Sequence, residues 1–109
     1  MHILTKSNFS GFDWDGGNWP KCGKHGVSQA EIGEIFQGAP AVMPDPHPRE
    51  SRLRAIGKTC TGRYVFLVYT VRPVSGRKLI RPISARYMHG AEVDHYESST
   101  SEKDSAPAE

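Results

Sequence analysis

Cysteine, long hydrophobic runs and a signal peptide are scarce or missing in this 109-residue sequence, and each absence excludes a class of protein. Two cysteines, Cys22 and Cys60, are too few for the disulfide framework of a small secreted domain. The longest apolar run, residues 64–69, is far shorter than the roughly 20 residues that cross a bilayer. The N-terminal residues lack the apolar stretch of a signal peptide. These absences predict a cytoplasmic protein with two free thiols, and they give no sign of a membrane partner.

Acidic residues are almost missing from the middle of the chain. Residues 49–90 hold ten lysines and arginines but one acidic residue, although the net charge of the whole chain is only +2. Residues 91–109 hold six acidic residues against one lysine. A local cationic excess favours an anionic partner, most simply the phosphate backbone of a nucleic acid. The alternative is that the arginines only solvate the exposed face of a sheet.

Two N-terminal helices are predicted, and the junction between them is clearly marked. The first spans residues 18–25, with Asn18 as its N-cap. Ser28 and Glu31 have the spacing of a capping box, which begins a second helix that runs to about residue 37.

A three-stranded antiparallel meander is predicted next. Its strands are residues 53–58, 63–71 and 78–85. Pro82 cannot donate a ladder hydrogen bond, so it predicts an edge or a bulge in the last strand. Residues 39–51 hold four of the eight prolines and predict a connecting loop before the meander.

The two ends of the chain carry weaker signals. Residues 1–10 show no periodicity and are predicted to form a loosely held segment. A last helix is predicted over residues 90–97, and the acidic residues 98–109 predict a disordered tail. The result is one α+β domain over residues 11–97, with two N-terminal helices and a C-terminal helix packed on a small antiparallel sheet.

Arginines on the predicted sheet are candidates for a phosphate clamp. Two-residue periodicity places Arg52 and Arg54 on the same face, and Arg81 and Arg86 belong to a neighbouring strand. Arg63 opens the central strand. Guanidinium groups bind phosphate oxygens in a bidentate geometry that lysine cannot supply.

His25 is the candidate group for proton transfer, because imidazole exchanges protons near neutral pH. The competing interpretation is structural, since a cation at the end of the first helix is stabilised by the helix dipole. Cys22 and His25 have a spacing compatible with metal ligands. No second ligand pair has a matching spacing, because Cys60, His47 and His89 are scattered. No metal site is therefore predicted.

Several motifs occur in a consistent order along the chain. They are Phe12-Asp13-Trp14-Asp15, Asn18, Lys24-His25-Gly26-Val27-Ser28, Arg54-Ala55-Ile56-Gly57, Val68-Tyr69-Thr70, Ile80-Arg81-Pro82-Ile83-Ser84-Ala85-Arg86, Glu92 and Tyr96-Glu97. With these motifs, residues 11–97 resemble the BrnT family of toxins from bacterial type II toxin–antitoxin modules. The resemblance implies a RelE-like fold, a ribonuclease that cuts RNA to arrest growth, and no cofactor. It also implies a cognate antitoxin, usually encoded next door, and a higher-order toxin–antitoxin complex.

The residue types agree with metal-free RNA cleavage, which needs an acid, a base and cations around the phosphate. With the resemblance, the candidate catalytic residues are His25, Arg54, Arg81 and Arg86, and the candidate RNA-binding residues are Lys21, Lys24, Arg52, Arg63 and Tyr87. Two other classes stay open. One is a non-catalytic nucleic-acid-binding or antitoxin-docking module of the same fold, and the other is an interaction protein whose basic face docks an acidic or helical partner.

Overall fold

The computed structural model describes the backbone of residues 2–3, 9–46 and 49–105. It describes the side chains of residues 9–46 and 49–98. In the described residues, six β-strands form one sheet. The strands are β1 (His2–Ile3), β2 (Gly11–Phe12), β3 (Ala41–Asp45), β4 (Arg52–Lys58), β5 (Tyr64–Val74) and β6 (Arg77–Tyr87). The helices are α1 (Gln29–Gln37) and α2 (Gly90–Ser105). The α+β class is therefore confirmed.

The sheet is larger than predicted, and it is mixed rather than antiparallel. Its strand order is β1-β3-β4-β5-β6-β2. The predicted meander is the middle of this sheet, where β4, β5 and β6 pair antiparallel in sequence order. The prediction of a purely antiparallel sheet is wrong, because β2 pairs with β6 in parallel.

The predicted loop over residues 39–51 is wrong for residues 41–45, which form β3 between β1 and β4. Pro44 disfavours a strand in this segment, because proline has no backbone N–H to donate to a second neighbouring strand. β1 pairs with Ala41 and Val42, so Pro44 lies beyond that pairing and needs only its contact with β4.

The predicted α-helix over residues 18–25 is also wrong, so the described chain has two helices rather than three. These residues form turns with a short 3₁₀ segment at Lys21–Gly23. A Cβ at Gly23 would lie only 2.5 Å from the Trp19 ring, which shows how closely the backbone passes over this indole. Asn18 is not an N-cap; its side chain is 4% exposed and bonds to backbone groups of neighbouring segments.

The capping box that begins α1 is confirmed. Ser28 Oγ accepts a hydrogen bond from the Glu31 N–H, and Glu31 Oε1 accepts one from the Ser28 N–H. The apolar side of α1 packs on one face of the sheet through Ile32, Ile35 and Phe36. Helix and sheet approach closely at Gly57, where an added Cβ would lie 2.9 Å from Ile35 Cβ.

Tyr69 lies in the core beneath α1 and is fully buried. Its ring packs edge-to-face against Phe36, with 5.4 Å between the ring centroids. Burial raises the pKa of the Tyr69 hydroxyl to about 12. Tyr69 is therefore a packing residue and has no access to a bound ligand.

A β-bulge in β6 decides which residues share a face of the sheet. The register on either side of it is Val68 opposite Ser84 and Tyr69 opposite Pro82. Ile83 is the extra residue, so the bulge predicted from Pro82 is confirmed. Arg81 and Arg86 are five residues apart and would point to opposite faces of a regular strand. The inserted residue brings both onto the same face.

Helix α2 packs on the face of the sheet opposite α1. Tyr96 meets Tyr64 with 5.5 Å between the ring centroids, and the Tyr64 hydroxyl donates to Glu97 at 3.0 Å. The structure gives residues 98–105 a helical backbone, where the sequence predicts a disordered tail; residues 106–109 lie outside the described residues. Neither α1 nor α2 has both the length and the apolar character needed to span a bilayer.

The N-terminal segment predicted to be loosely held is described only in part. His2 and Ile3 pair with β3, and the Ser10 N–H donates to the Lys78 carbonyl at 2.9 Å. Phe9 packs against the core. Residues 1 and 4–8 lie outside the described residues.

Candidate nucleic-acid interface

The sheet face opposite α1 carries Arg54, Arg81 and Arg86, which the sequence singled out, and we call its central part the open face. The strand register places on it Arg54 and Ile56 of β4, Phe66, Val68 and Thr70 of β5, and Arg81, Ser84 and Arg86 of β6. The side chains of the opposite face, such as Ala55, Leu67 and Ala85, are buried in the core. The open face is therefore a basic surface with an aromatic ring in it.

Phe66 lies between two guanidinium groups on this face. The Arg86 Cζ atom is 4.8 Å from the Phe66 ring centroid, and the Arg54 Cζ atom is 5.7 Å from it. Both distances are within the range of cation–π attraction. Each guanidinium is also fixed by a carboxylate, since Arg54 Nε donates to Asp45 Oδ1 at 2.6 Å and Arg86 pairs with Glu92. The two cations are therefore held in position before any ligand arrives.

A cleft with a volume of about 390 Å³ adjoins the open face where β6 ends. It is lined by His25, Arg63, Arg86, Tyr87, Met88 and His89. A smaller pocket of about 90 Å³ is lined by His25, Phe66, Ser84, Ala85 and Arg86. His25 and Arg86 line both spaces, so the cleft and the open face form one continuous surface.

The His25 turn is anchored to this cleft by Tyr87. The Tyr87 hydroxyl donates to Glu31 Oε1 at 2.6 Å and lies 3.2 Å from the Gly26 carbonyl oxygen. The hydrogen bond from Tyr87 lowers the pKa of the Glu31 carboxyl below its ordinary value. Gly26 itself has φ +96°, a conformation that L-residues with a side chain rarely adopt. The capping box of α1 therefore also fixes the turn that carries His25.

Arg63 covers the ring of Tyr87. Its Cζ atom is 3.4 Å from the ring centroid, the distance of a stacked guanidinium plane. Arg63 is an exposed residue and lines the cleft. Exposed guanidinium planes and aromatic rings are the surfaces on which unpaired nucleobases stack.

Glu92 holds two residues that line the cleft, Arg86 and His89, by hydrogen bonds. Its Oε1 and Oε2 accept hydrogen bonds from the two terminal nitrogens of Arg86 at 2.7 and 2.8 Å. The same Oε1 accepts the His89 backbone N–H at 2.9 Å, as a capping carboxylate in the first turn of α2. These hydrogen bonds, with that from Arg86 as the largest cause, lower the pKa of Glu92 to about 2.

We expect the Glu92→Gln variant to lose an acid-dependent part of the wild-type stability. The folded-state pKa of about 2 lies below the ordinary value of 4.5, so the pair stabilises the native state above pH 4.5. That contribution is lost as the pH falls from 4.5 towards 2. Urea unfolding at a series of pH values should show the variant less stable at pH 7 and the two proteins converging near pH 2. Asp94→Asn, an exposed carboxylate on the same helix, is the matched control. Parallel curves for Glu92→Gln and wild type would contradict the expectation.

The structure brings four of the predicted site residues together and separates the others. His25, Arg63, Arg86 and Tyr87 line the cleft, and Arg54 lies beside Phe66 on the open face. Lys21 and Lys24 are exposed in the 3₁₀ segment and at its end, and Arg52 is paired with Glu50. None of these last three residues lines the cleft.

Arg81 is on the open face but is engaged in a structural contact. Its Nη1 donates to Asp13 and Asp15 at 3.1 Å each, and its Nη2 donates to Asp15 at 3.0 Å. These bonds tie the segment after β2 to β6. The position of Arg81 is therefore explained by the fold without a ligand.

Phe66 and His89 belong to this surface and are not among the candidates found from the sequence. Phe66 lies within a continuous apolar run, so its place on the open face shows only in the register with Arg54 and Arg86. His89 looks isolated in the sequence, although it stands three residues from both Arg86 and Glu92. In the part of the chain that the structure describes, no three His, Cys, Asp or Glu side chains cluster as metal ligands would.

Comparison with known proteins supports the resemblance found in the sequence. Residues 14–92 match a family model described as the ribonuclease toxin BrnT of type II toxin–antitoxin systems. No curated protein matches the chain significantly. The matched range covers more than half of the chain and includes both the open face and the cleft.

Proposed function

The chain belongs to the BrnT family of ribonuclease toxins of type II toxin–antitoxin systems, and from this membership we propose that it is an endoribonuclease that cleaves RNA in the cleft. The observation that carries the proposal is the convergence of His25 with the guanidinium groups of Arg63 and Arg86 around one cleft. Metal-free cleavage of a phosphodiester needs a group that transfers protons and cations, held in position, that stabilise the charge on the phosphate. A cognate antitoxin protein would neutralise the enzyme by covering this surface.

The proposed reaction is attack of a ribose 2′-hydroxyl on the adjacent phosphate. The attacking oxygen must lose a proton, and His25 is placed at the cleft to accept or donate one. Negative charge grows on the phosphate oxygens in the transition state, where Arg86 and Arg63 would stabilise it. Because Arg86 is already held by Glu92 and against Phe66, little reorganisation is needed when the phosphate binds.

A stacking surface beside the cleft favours RNA with unpaired bases. The guanidinium of Arg63 is exposed there and can accept a base face. A double helix keeps its base faces stacked on one another and could not use this surface. We therefore expect single-stranded segments and loops to be cut in preference to duplex RNA.

A second function is favoured by a separate observation. The guanidinium groups of Arg54, Arg81 and Arg86 already have carboxylate partners within the chain. These carboxylates offset the positive charge that would attract a phosphate, whereas a protein partner could dock on the surface without needing that charge. This arrangement would suit an antitoxin-docking module of the same fold that has no catalytic activity.

Incubation of the purified chain with end-labelled single-stranded RNA separates the two functions. The proposed nuclease produces internal fragments, both with added magnesium and in excess chelator, and the purified antitoxin suppresses them. Binding of the antitoxin without RNA binding or strand scission would support the second function instead, whereas salt-dependent RNA binding without scission would indicate a non-catalytic nucleic-acid-binding module. Activity that vanishes in chelator and returns with a divalent metal would contradict the mechanism.

A further inference from the structure

Among the described residues that line the cleft, the two histidines, His25 and His89, take no part through their side chains in the hydrogen bonds that shape it. The hydrogen bonds that hold His89 use its backbone: its N–H donates to Glu92 Oε1 at 2.9 Å, and its carbonyl accepts the Val93 N–H at 2.9 Å. Any residue other than proline would make the same two bonds at this position. The imidazole is exposed and lines the cleft together with that of His25.

The position of His89 relative to Arg86 is fixed by a single oxygen atom. Glu92 Oε1 accepts both the His89 N–H and an N–H of Arg86, the latter at 2.7 Å. His25 is fixed independently, through the contacts of Tyr87 with Gly26 and Glu31. Two imidazoles from distant parts of the chain are thus presented to one cleft by rigid backbone, with a guanidinium beside them.

We propose that His89 is a second catalytic residue and that His25 and His89 form the acid–base pair of RNA cleavage. This assignment rests on the proposed function. Cleavage of a phosphodiester by the 2′-hydroxyl needs two proton transfers, one at the attacking oxygen and one at the leaving oxygen. A single histidine serves only one of them while the bond is being cut. The second imidazole supplies the other.

The reaction is balanced without any additional reactant. One imidazole, neutral at the start, takes the proton of the 2′-hydroxyl as the 2′-oxygen forms its bond to phosphorus. The other imidazole, protonated at the start, gives its proton to the 5′-oxygen as the bond from phosphorus to that oxygen breaks. The products are a 2′,3′-cyclic phosphate end and a 5′-hydroxyl end. The two histidines have then exchanged protonation states, and exchange with water restores them.

Single-turnover cleavage across a range of pH values tests the pair. Besides the two histidines, the charged and titratable groups that face the cleft or contact its lining are Arg63, Arg86, Tyr87, Glu31 and Glu92. Wild type should give a bell-shaped dependence of rate on pH, because one imidazole must be neutral and the other protonated. His89→Gln and His25→Gln should each lower the maximal rate by on the order of 10²-fold and remove one limb of the bell.

The matched control is His95→Gln, which changes an exposed histidine of α2 that does not line the cleft. His89→Asn is a second variant of the site, because asparagine is a favoured residue at a helix N-cap and preserves the start of α2. Thermal unfolding of each variant verifies the fold. A defect shared by His89→Asn and His89→Gln but not by His95→Gln supports the assignment.

A substrate with sulfur in place of the 5′-oxygen identifies the acid, because a thiolate leaves without being protonated. The pair predicts that this substrate restores the rate of one of the two glutamine variants and not of the other. Rescue of neither variant, or a full bell-shaped profile in folded His89→Gln, overturns the assignment while leaving the nuclease in place. Failure of the wild-type chain to cleave any RNA overturns the proposed function itself.

Discussion

Replacing Arg86 by alanine should lower the rate of RNA cleavage by a factor on the order of 10²–10³, the usual effect of removing one preorganised group that stabilises transition-state charge. Arg86 lines both the cleft and the adjoining pocket, and its guanidinium is held by two oxygens of Glu92. The loss should appear in the single-turnover rate constant on a labelled single-stranded RNA, and in cells as loss of growth arrest.

Two further variants show whether the loss of cleavage rate comes from the position of the Arg86 guanidinium or only from its charge. Arg86→Lys keeps the charge but cannot reproduce the bidentate contact with Glu92, so we expect it to recover only part of the rate. Arg77→Ala removes an exposed arginine from the other end of β6 and is the control for a general loss of positive charge. An equal loss in Arg86→Ala and Arg77→Ala would show that Arg86 contributes only to the overall field of the protein.

Replacing Asn18 by alanine should cause a large loss of stability, because its buried side-chain amide joins three backbone groups. The Asn18 amide donates to the carbonyl oxygens of Asp13 and Pro82 at 2.9 and 3.0 Å, and its oxygen accepts the Asp15 N–H at 2.9 Å. Each buried group left without a partner costs about 1–3 kcal/mol. We therefore expect the free energy of unfolding, measured by urea denaturation, to fall by at least about 2 kcal/mol.

The control for this loss is Gln29→Ala, which removes an exposed side-chain amide from α1 and should change the unfolding free energy by less than about 0.5 kcal/mol. Asn18→Asp keeps the acceptor for Asp15 but removes both donors, so it should be as destabilising as alanine at neutral pH. A loss below about 0.5 kcal/mol in Asn18→Ala would mean that the turn before α1 does not depend on its link to β6.

The hydrogen bonds of Glu31 include some that the local sequence predicts and one that only the packing of distant segments creates. Ser28 and Glu31 are three residues apart, so the sequence predicts their reciprocal hydrogen bonds and the start of α1, and both are confirmed. The contact of Glu31 with the Tyr87 hydroxyl joins residues that are far apart in the chain. It depends on the packing of α1 against the end of β6, and no local pattern indicates it.

Asn18 shows the opposite outcome, in which a local pattern was misleading. Asn18, with Pro20 in the following turn, predicts the N-cap of a helix, but residues 18–25 form turns and a short 3₁₀ segment instead. The partners of Asn18 include the Pro82 carbonyl on β6, a contact that exists only when the two segments pack together. Backbone groups near Gly23 and Trp19 are satisfied by turns instead of a helix.

The sequence by itself determined the family, the α+β class, the position of α1 and the central strands, and the concentration of arginines on β4 and β6. These features depend on composition, on periodicity and on residues a few positions apart. Only the tertiary structure decided that the bulge in β6 places Arg81 and Arg86 on one face, that carboxylates hold these arginines, and that His89 shares a cleft with His25. The physical reason is that strand register and side-chain pairing are set by contacts between distant residues, which must pack before either is defined.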